Sequence, residues 1–337
     1  MDERRRSPTV PAPYRLSSGR QPLVKRRLIE GLVGLSVGGA LLWWVVKDFS
    51  WSQLRVIQTH WPWVIGAGLT MTVAHLLRAW RWLLMLRGSR QASSFGPAFW
   101  ALMVGYLANT ALPRVGEVLR CTLLWRWAKV PMALALGSVV AERLLDLLLL
   151  ALLALTVVAV EGLAWIEALG LRPYLPWMGG GLLLGLLLLS LLVYALRKRS
   201  HWLLTQVVEG FLGVLRARPY ALMAALSLLI WAGYWGAIYG VMEALSSETS
   251  VFLAWSAWVL LVGSGVAMAL PVPGGIGTFH VIGLGLLLAL GWEKDTALLT
   301  VLAAHALQTL LVIGLGGVGL LYGAFRPFPS AAQVTAP

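Results

Sequence analysis

The chain has 337 residues, 59% of them hydrophobic and 12% charged, and a formal net charge of +13. Apolar runs of about 20 residues recur along it, which excludes a water-soluble domain and identifies an all-α polytopic integral membrane protein. Runs such as Leu144 to Val160 do not alternate apolar with polar residues, so helices rather than a barrel are the spanning elements.

Residues 1–27 form a polar tail with eight Lys/Arg, and an apolar run at 28–46 follows. Trp43 to Trp51 offers no small-residue cleavage site, so this run reads as a retained first helix with the tail on the cytoplasmic side. Five more spans are predicted at 63–86, 132–158, 174–196, 220–243 and 296–325, making about six. Two further apolar regions, 97–127 and 252–291, are each broken in the middle. With the tail inside, segments 1–27, 87–96, 125–131, 197–219 and Arg326 hold 18 Lys/Arg. The outer loops hold four, namely Lys47, Arg55, Arg172 and Lys294. That asymmetry puts both termini, including the tail 326–337, in the cytoplasm and the protein in the cytoplasmic (inner) membrane. It also explains the basic charge without nucleic acid. The single cysteine, Cys121, makes no internal disulfide and reads as a buried, inert thiol.

The part of the first broken region after its break, Gly116 to Trp127, is 12 residues. That is roughly 18 Å of helix, too short for about 30 Å of hydrocarbon. Re-entrant hairpins are therefore expected at both breaks, although two full crossings would satisfy the same charge count. Trp100 to Gly116 and Trp258 to Gly274 coincide at eight of 17 positions with an offset of 158. Downstream, Arg143 falls on His305 and Asp146 on Gln308. Three spans separate the copies, so halves at about 97–158 and 252–325 form an inverted repeat. Paired broken helices of opposite orientation are a transporter signature, with the site where the breaks meet.

Pro113 lacks an N–H and disfavours helix at Leu112, and Gly116 lets the chain turn. Arg114, Glu117 and Arg120 would each cost about 2.5–3.5 kcal/mol at a helix centre in lipid, which marks them as functional. Glu117 and Arg120, at i and i+3, are expected to pair, leaving Arg114 for an anion. In the second break, Gly274, Gly275 and Gly277 allow backbone N–H groups to converge on a phosphate, with a plain hinge as the alternative. Ser138, Glu142 and Asp146 share an acidic face, and Arg143 can pair with Asp146. His75, Arg78 and Trp82 form a stripe; Arg78 and Arg81 belong to the site or snorkel with Arg87 to the cytoplasmic end. His305 and Gln308 suit hydrogen bonding between helices. No cluster has metal-ligand spacing, and no cofactor is expected. Gly314 to Gly319 matches a dinucleotide fingerprint, but it sits inside an apolar span with no preceding strand and reads as a helix-packing face.

The pattern Asn109, Pro113, Arg114, Gly116, Glu117, Arg120, then Glu142-Arg143 and Asp146, then Pro273-Gly274-Gly275-x-Gly277, resembles the flippase-like transmembrane domain of lysylphosphatidylglycerol synthases and its stand-alone relatives. The likeness covers roughly 28–325, and Arg81-Trp82 fits its second-span pattern. It implies handling of polar lipids across the bilayer, such as aminoacylated phosphatidylglycerol, hopanoids or lipid-linked sugars. Where that family often has Glu, this chain has His280. Few residues follow Tyr322, so the soluble aminoacyltransferase domain, and with it lipid synthesis, is not expected. The expectation is a non-enzymatic flippase or transporter for a phosphate-bearing lipid with an anionic or zwitterionic head group. Its amine, where present, would face Glu142 and Asp146. An integral-membrane transferase using Glu117 or Asp146 as base is the alternative, a non-transporting scaffold is a third reading, and homo-oligomerisation stays open.

Overall fold

The computed structural model describes residues 60–162, 201–246 and 248–325, together with Trp43. Apart from Trp43, the predicted spans 28–46 and 174–196 and both tails lie outside these residues. Nine α-helices are described: α1 (Trp61–Gly88), α2 (Phe95–Ala111), α3 (Val115–Ala128), α4 (Met132–Glu161), α5 (His201–Arg216), α6 (Tyr220–Leu245), α7 (Ser250–Ala269), α8 (Thr278–Ala289) and α9 (Lys294–Ala324). The described residues contain no strand. Four helices, α4, α6, α7 and α9, are long and apolar enough to cross a membrane. Predicted as a span, α1 has the length, at 28 residues, but Trp, Gly and Thr dilute its first half and Arg78, Arg81 and Arg87 occupy its second.

Both predicted breaks are present. Leu112 is extended (φ −135°) ahead of Pro113, and Arg114 takes the left-handed conformation (φ 63°), so α2 ends and α3 folds back against it. With 17 and 14 residues, the arms are roughly 25 and 21 Å long, each short of the hydrocarbon thickness. The crossing is backbone to backbone: a Cβ on Gly116 would collide with the Gly105 carbonyl. In the second break Leu270 is extended ahead of Pro271, and a 3₁₀ turn at Pro273–Gly275 leads into α8. Its arms are unequal. The 20 residues of α7 reach about 30 Å, whereas α8 has 12. The order of helix, break, short helix and long helix thus occurs twice, as α2–α3–α4 and α7–α8–α9.

The sequence places 197–219 between spans as a basic cytoplasmic segment; within it, 201–216 form α5. Glycines hold it in place. A Cβ on Gly210 would strike the Leu134 carbonyl, one on Gly137 the Val207 carbonyl, and one on Gly213 the Ser89 hydroxyl. Ser89 Oγ also donates to the Glu209 carbonyl at 3.0 Å. Flanking Lys/Arg masked this helix in the sequence.

The Gly314–Gly319 run packs helices, as expected. Gly316 and Gly319 on α9 face the Met103 and Trp100 carbonyls of α2, while Gly314 and Gly317 have nothing within 4 Å of a Cβ. On α4, Leu144, Leu148, Leu152 and Leu155 are exposed along one side, as suits a helix facing acyl chains.

Candidate functional site

Asn109 organises the first break. Its Oδ1 accepts from the Gly116 N–H at 2.7 Å, and its Nδ2 donates to the Glu117 carboxylate at 3.3 Å. It thus satisfies an otherwise orphaned N–H at the start of α3, the task of a helix cap. Asn109→Ala should cost about 1 kcal/mol, read as a lower melting temperature in detergent, and an unchanged melt would deny Asn109 this role.

The predicted Glu117–Arg120 pair does not form. Arg120, one turn further on, points away from the break, its guanidinium 4.9 Å from the Trp82 ring centroid and Nη2 3.0 Å from Glu142 Oε2. Spacing of i and i+3 permits a pair but does not choose it over a buried carboxylate on another helix. Trp82 is itself fixed by donating from Nε1 to Ser138 Oγ at 2.9 Å.

Glu142, fully buried, is the centre of the charge cluster. Arg78 Nε lies 2.8 Å and Arg143 Nη2 3.0 Å from its Oε1, Arg81 Nη2 3.7 Å away, and Arg120 on the other oxygen. Asp146 pairs with Arg78, with Arg81 at 2.6 Å and, more loosely, with Arg143 at 3.9 Å. Arg78 and Arg81 therefore face inward and do not snorkel; Arg87 is exposed. Links to α6 complete the network, with Arg81 donating to Ser227 Oγ at 3.0 Å and Arg78 to the Tyr234 hydroxyl at 3.2 Å. The acidic face expected of Glu142 and Asp146 is thus corrected: two carboxylates are held by four guanidiniums, and the assembly is cationic. Burial of such charges is tolerable only with this degree of pairing.

The glycine break also differs from expectation. Positive φ at Gly274 (58°), Gly275 (71°) and Gly277 (84°) explains the glycines, but the N–H groups of Gly275 and Gly277 are taken up within the turn itself. Gly275 N–H donates to the Val272 carbonyl, Ile276 N–H to Pro273, and Gly277 N–H to His280 Nδ1 at 3.3 Å. His280 is buried, its ring 4.7 Å from that of His305, whose Nε2 meets the Gly274 carbonyl at 2.9 Å. The two histidines brace the turn. His305 hydrogen-bonds to the loop rather than to another helix.

The breaks meet. Thr110 lies against Gly274, and Arg114 donates to the Ala269 carbonyl at 2.6 Å. Between them and the charge cluster is a cavity of about 370 Å³. Of the predicted residues, Asn109, Arg114, Glu117, Arg78, Arg143, Asp146, Gly274 and Gly275 line it; Arg81, Arg120, Glu142, Gly277 and His280 stand behind. Sequence reasoning missed Tyr106, Trp231 and Tyr234 in the lining, because aromatic residues in apolar runs look like ordinary core. His75, noted only as part of a stripe, packs against Tyr106 and Tyr234 with centroids at 5.4 and 5.8 Å, and Gln308 also faces the cavity.

Apolar helices around a cationic cavity at two paired breaks make this a membrane protein with an internal polar site. Residues 31–316 match the profile of the family described as lysylphosphatidylglycerol synthase TM region. The chain belongs to this family. Membership covers the hairpins, the charge cluster and the cavity together, and it ties the protein to membrane lipids. No curated protein and no solved structure matches the chain. Within the family framework, the motif residues named from the sequence divide into those that face the cavity and those that support them, a division the motif alone does not reveal.

Proposed function

We propose that the protein moves a lipid with a phosphate-bearing head group across the cytoplasmic membrane, the head group passing through the cavity while the acyl chains stay in lipid. The observation that carries this reading is Arg143. Its side chain lines the cavity and is 38% exposed, whereas Arg81 and Arg120 are held out of reach at 0% and 2%. A guanidinium with free donors is well matched to a phosphate. Two helix breaks that meet at one cavity support alternating access about a fixed site, the arrangement that broken-helix transporters use.

Purified protein in vesicles containing a fluorescently labelled anionic phospholipid should speed its exposure to a membrane-impermeant quencher. Arg143→Gln should slow this about tenfold or more, the equivalent of one lost charge-assisted hydrogen bond. An unchanged rate in the variant, or equal transfer of a neutral glycolipid, would overturn the reading. Activity seen only when an activated donor is added would instead identify the transferase.

Both termini are assigned to the cytoplasm in this scheme. Cysteines introduced at Glu248 and Asp295, at the starts of α7 and α9, should then react with an impermeant maleimide in intact cells. Labelling only after permeabilisation would reverse the orientation.

A further inference from the structure

Among the described residues, the charges around the cavity do not cancel. Five arginines (Arg78, Arg81, Arg114, Arg120 and Arg143) and three carboxylates (Glu117, Glu142 and Asp146) line the cavity or stand directly behind it, a surplus of two positive charges with histidines neutral. Of the two predicted spans that lie mainly outside the described residues, 174–196 contains no Asp, Glu, Lys or Arg, and 28–46 contains one, Glu30, in the first turn next to the basic tail. No carboxylate among the described residues pairs with Arg114, which rests on a backbone carbonyl. Arg143 shares Glu142 with three other guanidiniums, and its Nε is buried without a hydrogen-bond partner. Uncompensated charge within a membrane is costly, so the occupant that best suits the cavity restores neutrality.

We propose that the lipid carried here bears at least two negative charges on its head group, as a terminal phosphate monoester (about two at pH 8) or a terminal diphosphate (about three at pH 8) does. A phosphodiester such as phosphatidylglycerol carries only one. This rests on the transport reading above and narrows its substrate. Two cavity arginines, Arg114 from the first break and Arg143 from α4, offer donors to separate oxygens of such a group. The tyrosines Tyr106 and Tyr234, which also line the cavity, add no opposing charge.

The test is binding of short-chain lipids to the detergent-purified full chain, with phosphatidic acid as monoester, phosphatidylmethanol as diester, farnesyl diphosphate as diphosphate and diacylglycerol as the uncharged control. At pH 8 phosphatidic acid or farnesyl diphosphate should bind about tenfold more tightly than phosphatidylmethanol. Whichever of the two binds better assigns the source of the dianion. Phosphatidic acid should lose its advantage by pH 5, because a phosphate monoester takes up its second proton with a pKa of about 6. Its preference should also shrink in both Arg143→Gln and Arg114→Gln, each of which removes one charge; Arg114 is exposed and outside the buried network, so that variant keeps the test alive should the other fold poorly. Binding of both phosphatidic acid and farnesyl diphosphate no tighter than phosphatidylmethanol at pH 8 would overturn the dianion proposal and leave anion transport standing. Binding of none of the three above diacylglycerol would overturn both.

Discussion

Glu142→Gln should be the most damaging single-atom change in the protein, lowering stability by about 3–5 kcal/mol. Glu142 is fully buried and in charge contact with Arg78, Arg81, Arg120 and Arg143. Converting it to an amide leaves three guanidiniums sharing Asp146, and Arg120 with no carboxylate among the described residues. The expected result is a large drop in folded yield and in detergent melting temperature. Adding Arg120→Met should recover part of the loss, because it removes the most isolated of the stranded charges and keeps an unbranched apolar side chain under Trp82. A variant that melts like the parent would show that the cluster does not hold the fold. Arg143→Gln at the cavity edge should, by contrast, spare the melt while slowing transport.

Gly116→Ala should disrupt the first hairpin by several kcal/mol, beyond the about 1–3 kcal/mol usual for overpacking. A single methyl there meets the Gly105 carbonyl, and Asn109 Oδ1 at 2.7 Å, which is already bonded to the Gly116 N–H. Neither neighbour can retreat without opening the hairpin that forms one wall of the cavity. The matched controls are Gly314→Ala and Gly317→Ala on α9, where a methyl meets nothing within 4 Å. Those should be neutral or stabilising by up to about 1 kcal/mol, since alanine favours helix over glycine. Comparable losses in all three variants would mean that glycine content, rather than the α2–α3 crossing, is what matters.

The two breaks were legible in the sequence because proline and glycine act on their own backbone. Pro113 stops α2, and the glycines at 274, 275 and 277 permit the positive φ that the second turn uses. The partners of the charged residues were not legible. Glu117 and Arg120 are neighbours along α3, yet each turns to a different helix, Glu117 to Asn109 and Arg120 to Glu142. Pairing of buried charges is decided by which helices pack together, information that spacing along one helix does not contain. The same limit hid the sign of the site: four carboxylate-bound arginines come from three helices, α1, α3 and α4. α5 was missed for another reason, since its glycine contacts to α1 and α4 supply much of its fit and leave only a short, modestly apolar stretch between basic flanks.

The contact from Arg114 to the Ala269 carbonyl joins the two halves of the protein through an acceptor that every residue type supplies. The His305 ring on the Gly274 carbonyl works in the same one-sided way. Exchange of Ala269 for another residue of similar size leaves the acceptor in place, whereas exchange of Arg114 removes the donor. Across related chains the mechanical link between the halves would therefore leave no correlated pair of substitutions, while the ion pairs from Arg78 and Arg81 to Asp146 would. A search by co-variation would find the charge cluster and pass over the contact between the two breaks.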